Sequence, residues 1–332
     1  MADGLAIESY TGAAHAAAEA FGVEVAALDP ISISENVVFR LREAGTGQLY
    51  ALRLHRPGYH ALDTLESERS WTSALAAKGM IVPTGRRSAS GNWYELVRTP
   101  DAAGMRYAGL TVWHEGQVLG SVLGSRRGPE CLPWFEKLGS LLGEMHRHTA
   151  SWAIPAGFAR HRLDRDGLVG DTPFWGRFWQ AGTLDNDERS LLSEVRKMVR
   201  SRLQELERQG AAFGLIHADA HLDNVLISGE RLGLIDFDDC AFGWHAFDMA
   251  VALQGSSSHP DFAEIRDHFL AVYQLQQDVP PDIIQQIDLF LLIRELQLVG
   301  WRDARPENPE NLDKAQWMPQ LMQKIDRALG SV

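Results

Sequence analysis

The sequence predicts an α+β chain in two lobes, a small antiparallel sheet followed by a mainly helical portion. Three observations lead there. Short alternating apolar segments separated by turn signals crowd the first third of the chain, and long amphipathic patterns fill the rest. At 332 residues there is room for two lobes.

Each element has its own reason. Residues 11–21 are alanine-rich and predict a first helix, and residues 31–42 and 49–55 read as two strands around a turn at 44–47. Residues 62–78 read as a helix with Leu65, Glu68, Trp71 and Leu75 on one face. Glu68 therefore lies among apolar residues, where a charge calls for a partner. Residues 92–98 and 105–113 are further strands of the sheet, and the character of the chain changes at His114-Glu115-Gly116. That change divides it into residues 1–113 and 114–332. In the second part, residues 133–148 form an amphipathic helix through Phe135, Leu138, Leu142 and Met145, and its HRH ending suits a helix C-terminus. Val199, Leu203 and Leu206 mark another long helix, and the chain beyond Asp248 is helical apart from loops. Residues 171–179, DTPFWGRFW, carry aromatic pairs at i and i+4; such a stripe is packing, or the wall of an acceptor pocket for a cation.

Composition narrows the function. With 45% hydrophobic and 23% charged residues the chain is an ordinary globular protein, and a net charge of -12 argues against nucleic acid as a partner. Two cysteines make no disulfide framework, the N-terminus lacks a signal-peptide pattern, and no apolar run approaches a membrane span. A cytoplasmic protein with no membrane partner is the expectation.

The densest chemistry lies in residues 214–239, GLIHADAHLDNVLISGERLGLIDFDD. Asp219 and Asn224 are five apart, and Asp236 follows twelve later. Phosphoryl transfer needs a carboxylate to orient and deprotonate an acceptor hydroxyl and hard oxygen ligands to hold Mg2+ against phosphates. These three residues supply that set, with Asn224 and Asp236 near the ends of strands that can pair as a hairpin. Two rival readings use the same residues. His217, Asp219, His221 and Asp223 alternate like ligands of a zinc hydrolase, although only two of them are nitrogen donors. Alternatively they are loop caps and turn formers.

The string HADAHLDNVL followed by LIDFDD and FDMA resembles the aminoglycoside phosphotransferase family, with its choline-kinase-like and homoserine-kinase-like relatives. It departs from the usual pattern at Ala218, where glycine is common. The resemblance implies a two-lobed protein-kinase-like fold, with residues 1–113 as the nucleotide lobe and 114–332 as the catalytic and acceptor lobe. It implies that Asp219 accepts the hydroxyl proton, that His217 supports the loop, and that Asn224 and Asp236 hold Mg2+ on the phosphates of ATP or GTP. Arg53, in YALRLH, stands where a kinase strand carries its phosphate-pairing lysine, and Glu68 would be its partner. The hairpin over the phosphates would bring Ser32, Ser34 and Asn36 near them. One of Asp238 and Asp239 would join a second magnesium ion, or both would be solvated loop acids, and Asp248 would be a cap or brace for the helix that follows. The acceptor is expected to be a small-molecule hydroxyl, such as a cationic amino alcohol, an aminoglycoside or an amino-acid-like compound. A serine/threonine protein kinase and a nucleotide-binding pseudokinase are the alternatives.

Overall fold

The computed structural model describes residues 6–33, 36–124, 126, 128–306 and 309–330. In chain order the elements are α1 (Thr11–Ala20), β1 (Val25–Ile33), β2 (Val37–Glu43), β3 (Leu49–Leu54), α2 (Leu62–Ala77), β4 (Gly85–Arg86), β5 (Tyr94–Arg98) and β6 (Met105–Val112). There follow β7 (Gln117–Val118), α3 (Leu119–Leu123), α4 (Leu132–Ala150), β8 (Arg162–Leu163), α5 (Arg165–Val169), α6 (Asn186–Gln209), β9 (Phe213–Ile216), β10 (Val225–Ser228), β11 (Arg231–Leu234) and β12 (Ala241–Trp244). The chain ends in helices α7 (His245–Leu253), α8 (Phe262–Tyr273), α9 (Ile283–Asp303), α10 (Pro309–Leu312) and α11 (Lys314–Gly330). The chain forms two compact units: one runs to Gln117 and takes in Ala153–Ala159 and Ser228–Asp238, and the other holds the rest.

The first unit is built on an antiparallel sheet in the order β1-β2-β3-β6-β4, with β5 also paired to β6. Alternation decides which face is inside. Val37, Phe39 and Leu41 of β2 and Tyr50, Leu52 and Leu54 of β3 point into a core shared with Ala14, Ala17 and Ala18 of α1. Arg53, between two inward leucines, is left on the opposite face. Residues 31–42 are therefore not the single strand expected: β1 ends at Ile33 and β2 begins at Val37, and the two pair antiparallel. Pro30 disguises β1 in the sequence. A proline is tolerated here because β1 is an edge strand, and the register shifts between Pro30 and Ser32.

The second unit is mainly helical, with a small sheet β8-β12-β9. Its longest helix, α6, opens on a capping box between Asp185 and Glu188 and stops at Gly210, whose φ of 68° closes it in the left-handed region. Helices α4 and α8 pack closely at Gly139, where an added Cβ would come within 2.2 Å of the Phe269 carbonyl oxygen. The aromatic segment 171–179 is a turn-rich stretch, not a helix. It turns at Gly176, with φ 95°, and ends in a 3-10 turn at Phe178–Gln180, and Phe174 stacks on His161 at 3.7 Å. Trp175, Phe178 and Trp179 are buried, and Trp175 faces Phe247 at 6.4 Å. Among the described residues no helix is long and apolar enough to cross a membrane.

Candidate functional site

In the second unit, β9 runs into a loop whose backbone is held from beneath. Asp248, on α7 and fully buried, accepts hydrogen bonds from the backbone N–H of His217 at 2.8 Å and of Ala218 at 2.7 Å. His146 of α4 meets the same carboxylate through Nε2 at 3.0 Å, and its Nδ1 lies 2.8 Å from the Tyr273 hydroxyl. Burial alone holds His146 down at about 3, so it is neutral, with Nε2–H donating to Asp248 and Nδ1 accepting from Tyr273. The sequence suggests Asp248 as a cap or brace for the helix that follows and HRH as a helix ending, and Arg147 and His148 do lie in the last turn of α4. The structure instead puts Asp248 under the loop and His146 under Asp248, because a buried carboxylate needs donors and the loop supplies two.

That support fixes Ala218 at φ 66°, in the left-handed region. The turn presents Asp219, whose two oxygens have different partners. Oδ1 pairs with Arg294 of α9 at 2.5 Å; Oδ2 accepts from Asn224 Nδ2 at 2.9 Å, with His221 Nε2 at 3.4 Å. Burial would raise the Asp219 carboxyl, but Arg294 and then His221 outweigh it and hold it at about 2. Asn224 Nδ2 also donates to the Asp219 carbonyl at 2.9 Å. Both neighbours are acceptors, which fixes the NH2 end of the amide toward Asp219 and leaves Oδ1 as the end suited to a hard cation. His217 accepts the Asp219 N–H on Nδ1 at 3.2 Å, a contact that orients the loop.

Arg294 had no place in the sequence reading. The signal was a charged pair, Arg294-Glu295, inside the apolar run LFLLIRELQLV, since buried charges need partners. Gln254 ties the pair together: its Oε1 lies 3.4 Å from Arg294 Nε and its Nε2 donates to Glu295 at 3.1 Å. Lys324 completes the chain on Glu295 at 2.7 Å.

The first unit holds the other predicted residues. Arg53 NH2 lies 3.0 Å from Asp236 Oδ1, and NH1 lies 3.8 Å from Asp238 Oδ1. Burial works against the guanidinium charge, and Asp236 and Asp238 overcome it, so Arg53 is raised further above its ordinary value. Asn36 donates from Nδ2 to Asp238 Oδ2 at 3.0 Å and accepts the Arg56 N–H on Oδ1 at 3.0 Å. Asp238 is buried; desolvation alone would raise it, and Arg53, His55 and His60 turn the shift downward. Asp236 has a positive φ of 62°. Its Oδ1 is buried and faces Arg53 without hydrogen-bond alignment.

The expected Arg53–Glu68 pair is a correction. Glu68 is buried on the apolar face of α2, but its cation is the neighbouring Arg69, whose Nε also donates to the Tyr94 hydroxyl at 2.9 Å. Arg69 takes Glu68 Oε1 while Oε2 is buried without a hydrogen-bond partner, and Arg53 forms its ion pairs with the two aspartates. Asp238 is likewise an anchored acid rather than a solvated one. Ser34 lies outside the described residues. Among the described residues no three His, Cys, Asp or Glu side chains are grouped to hold a metal ion, which leaves the zinc-hydrolase reading without a ligand set there.

A model of the phosphotransferase enzyme family (APH) matches residues 29–284. The amicoumacin kinase of Bacillus subtilis (strain 168) is 26% identical over 283 residues, which make up 80% of this chain and 77% of that one. Among solved structures, the microcompartment-associated aminopropanol kinase matches with a TM-score of 0.76 at 28% identity, covering 97% of this chain and 95% of the other. An amicoumacin kinase in complex with AMP-PNP, Ca2+ and Ami matches with a TM-score of 0.77 at 19% identity, covering 96% and 92%, a likeness of fold.

Proposed function

The chain belongs to the phosphotransferase enzyme family, and on that premise we propose that it moves the terminal phosphoryl group of ATP or GTP, with Mg2+, onto a hydroxyl of a small molecule. The observation that carries this reading is the Asp219–Asn224 pair: a carboxylate held ionised beside an amide whose oxygen end is turned from it. Asp219 orients the acceptor hydroxyl and receives its proton as the acceptor oxygen bonds to phosphorus and the nucleoside diphosphate leaves with the bridging oxygen. Held so acidic, it acts chiefly as an ionised hydrogen-bond acceptor that takes the proton late, which suits the loose transition state of phosphoryl transfer. Asn224 and Asp236 are hard oxygen donors that fit Mg2+, which keeps few protein ligands and several waters. When bound, the ion neutralises charge on the phosphates. Arg53 and Asn36 belong to the nucleotide side, in residues 1–113, and residues 114–332 carry the acceptor.

For the acceptor we favour a cationic amino alcohol. The 28% identity to an aminopropanol kinase over 97% of the chain supports it, and so does the net charge of -12. The test is a panel of amino alcohols, aminoglycosides and hydroxy amino acids with Mg-ATP and Mg-GTP, run on the wild type and on Asp219→Asn. Nucleotide binding is expected to survive in the variant while turnover falls about 1,000-fold. Unchanged turnover in Asp219→Asn would sink the assignment.

A further inference from the structure

We infer that Arg53 governs the metal affinity of Asp236, holding its Oδ1 until the phosphates of a nucleotide take the guanidinium instead. The inference rests on the reading of Asp236 as a metal ligand. The kinase-like pattern puts a lysine at this strand position, and a lysine is a single point charge. Arginine is a planar fork. Here its two arms reach different carboxylates, NH2 at 3.0 Å from Asp236 and NH1 at 3.8 Å from Asp238.

The two ends of the fork are unequal. Asp238 is tied by Asn36 at 3.0 Å and its side chain is only 9% exposed, so that end is anchored. Asp236 is 44% exposed, and its contact with Arg53 is an ion pair without hydrogen-bond alignment. A phosphate offers the guanidinium two aligned, charge-assisted bonds and so replaces the weaker partner. Glu68, whose Oε1 is held by Arg69, acts on Arg53 through its charge and not as an ion-pair partner. A divalent cation approaching Asp236 while Arg53 remains on Oδ1 meets a positive charge about 3 Å from its ligand. Once phosphate has drawn Arg53 away, that repulsion becomes attraction for the carboxylate. The coupling is reciprocal: whatever the nucleotide adds to metal affinity, the metal adds to nucleotide affinity. Metal and nucleotide should therefore bind together, with little free metal bound alone.

Mn2+ is a paramagnetic stand-in for Mg2+ whose free concentration is read by electron paramagnetic resonance. Titrations without nucleotide are run on the wild type, Arg53→Met and Arg53→Lys, each with and without Asp236→Asn. Arg53→Met is expected to bind Mn2+ at least about tenfold more tightly than the wild type, and adding Asp236→Asn is expected to erase the gain. Arg53→Lys, which keeps the charge but cannot span both carboxylates, should gain about threefold and decides the matter if the methionine variant does not fold. Equal or weaker Mn2+ binding in the variants, or a gain that survives Asp236→Asn, overturns the inference. Failure of the wild type to bind Mg-ATP or Mg-GTP would instead count against the proposed function, and the Mn2+ titrations are read without any nucleotide.

Discussion

Asp219 and Asp236 each face an arginine, yet the two pairs differ in how they are held. Asp219 has a partner on each oxygen, Arg294 on one and Asn224 on the other, and its side chain is 20% exposed against 9% for Arg294. The loop under it is fastened by Asp248, and Arg294 is tied through Gln254 to Glu295. Asp236 meets Arg53 on one buried oxygen only, without alignment, and is more than twice as exposed. The difference teaches that an ion pair becomes a fixture through the contacts around it, not through its own distance. Asp219 is suited to keep one geometry through turnover, and Asp236 to change partners.

The same substitution made in both regions breaks or sharpens this contrast, and it carries the largest expected effect. Arg294→Gln leaves a largely buried carboxylate without its cation, which costs about 3–5 kcal/mol when a buried pair loses one member. Arg53→Gln should cost less, about 1–3 kcal/mol, since Asp236 can turn to water while buried Asp238 loses its cation but keeps Asn36. Urea unfolding of the two variants and of Asp219→Asn/Arg294→Gln measures both. The double variant should regain part of the loss, because it no longer buries an uncompensated charge. Equal costs for the two single variants would remove the distinction.

How much of this was legible in the sequence follows from distance along the chain. Asp219 and Asn224 lie in one loop, so the five-residue spacing and the apolar segments on either side were enough to bring them side by side. Apart from β1 the sheet was legible from periodicity, as were α2 and the long helices, because each buries one face. Arg294 is 75 residues beyond Asp219, and no local pattern says which buried carboxylate a buried arginine will find. Glu68 failed the other way: its burial was readable from the helical face, but its partner was its own neighbour, Arg69, not the strand arginine. The aromatics of residues 171–179 pack as their stripe suggests, with Trp175, Phe178 and Trp179 buried, although Pro173 and Gly176 keep the segment from being a helix.

A smaller effect tests the support beneath Asp219. His146 is fully buried, and burial holds it at about 3 against an ordinary 6.5. In the folded chain it stays neutral while the unfolded chain takes up the proton below about pH 6.5. Its contribution is therefore intact above that pH and declines as the pH falls toward 3. The decline approaches about 1.4 kcal/mol per pH unit once the unfolded form is protonated. His146→Gln keeps a donor for Asp248 without a titrating ring. The slope of unfolding free energy between pH 6 and 5 should flatten by about 1 kcal/mol per unit in that variant. An unchanged slope would mean that His146 takes up its proton without unfolding, and that the loop does not depend on a neutral ring.

The smallest effect concerns the backbone on which the contrast rests, for Ala218 and Asp236 are the two non-glycine residues with positive φ among the described residues. Aspartate visits that region more readily, because its short polar side chain can bond locally. Alanine has no such help, and its Cβ costs about 1–2 kcal/mol there. Ala218→Gly removes that cost. It also removes a buried methyl, contributing about 0.8 kcal/mol, and frees the unfolded chain at a cost of about 0.5–1 kcal/mol. The terms nearly cancel, so stability should stay within about 1 kcal/mol of the wild type by urea unfolding. Turnover should hold within about threefold, because Asp248 grips the backbone N–H of residue 218 whatever its side chain. A loss above about 2 kcal/mol would mean that the methyl contact, and not the grip of Asp248 on the backbone, keeps Asp219 in place.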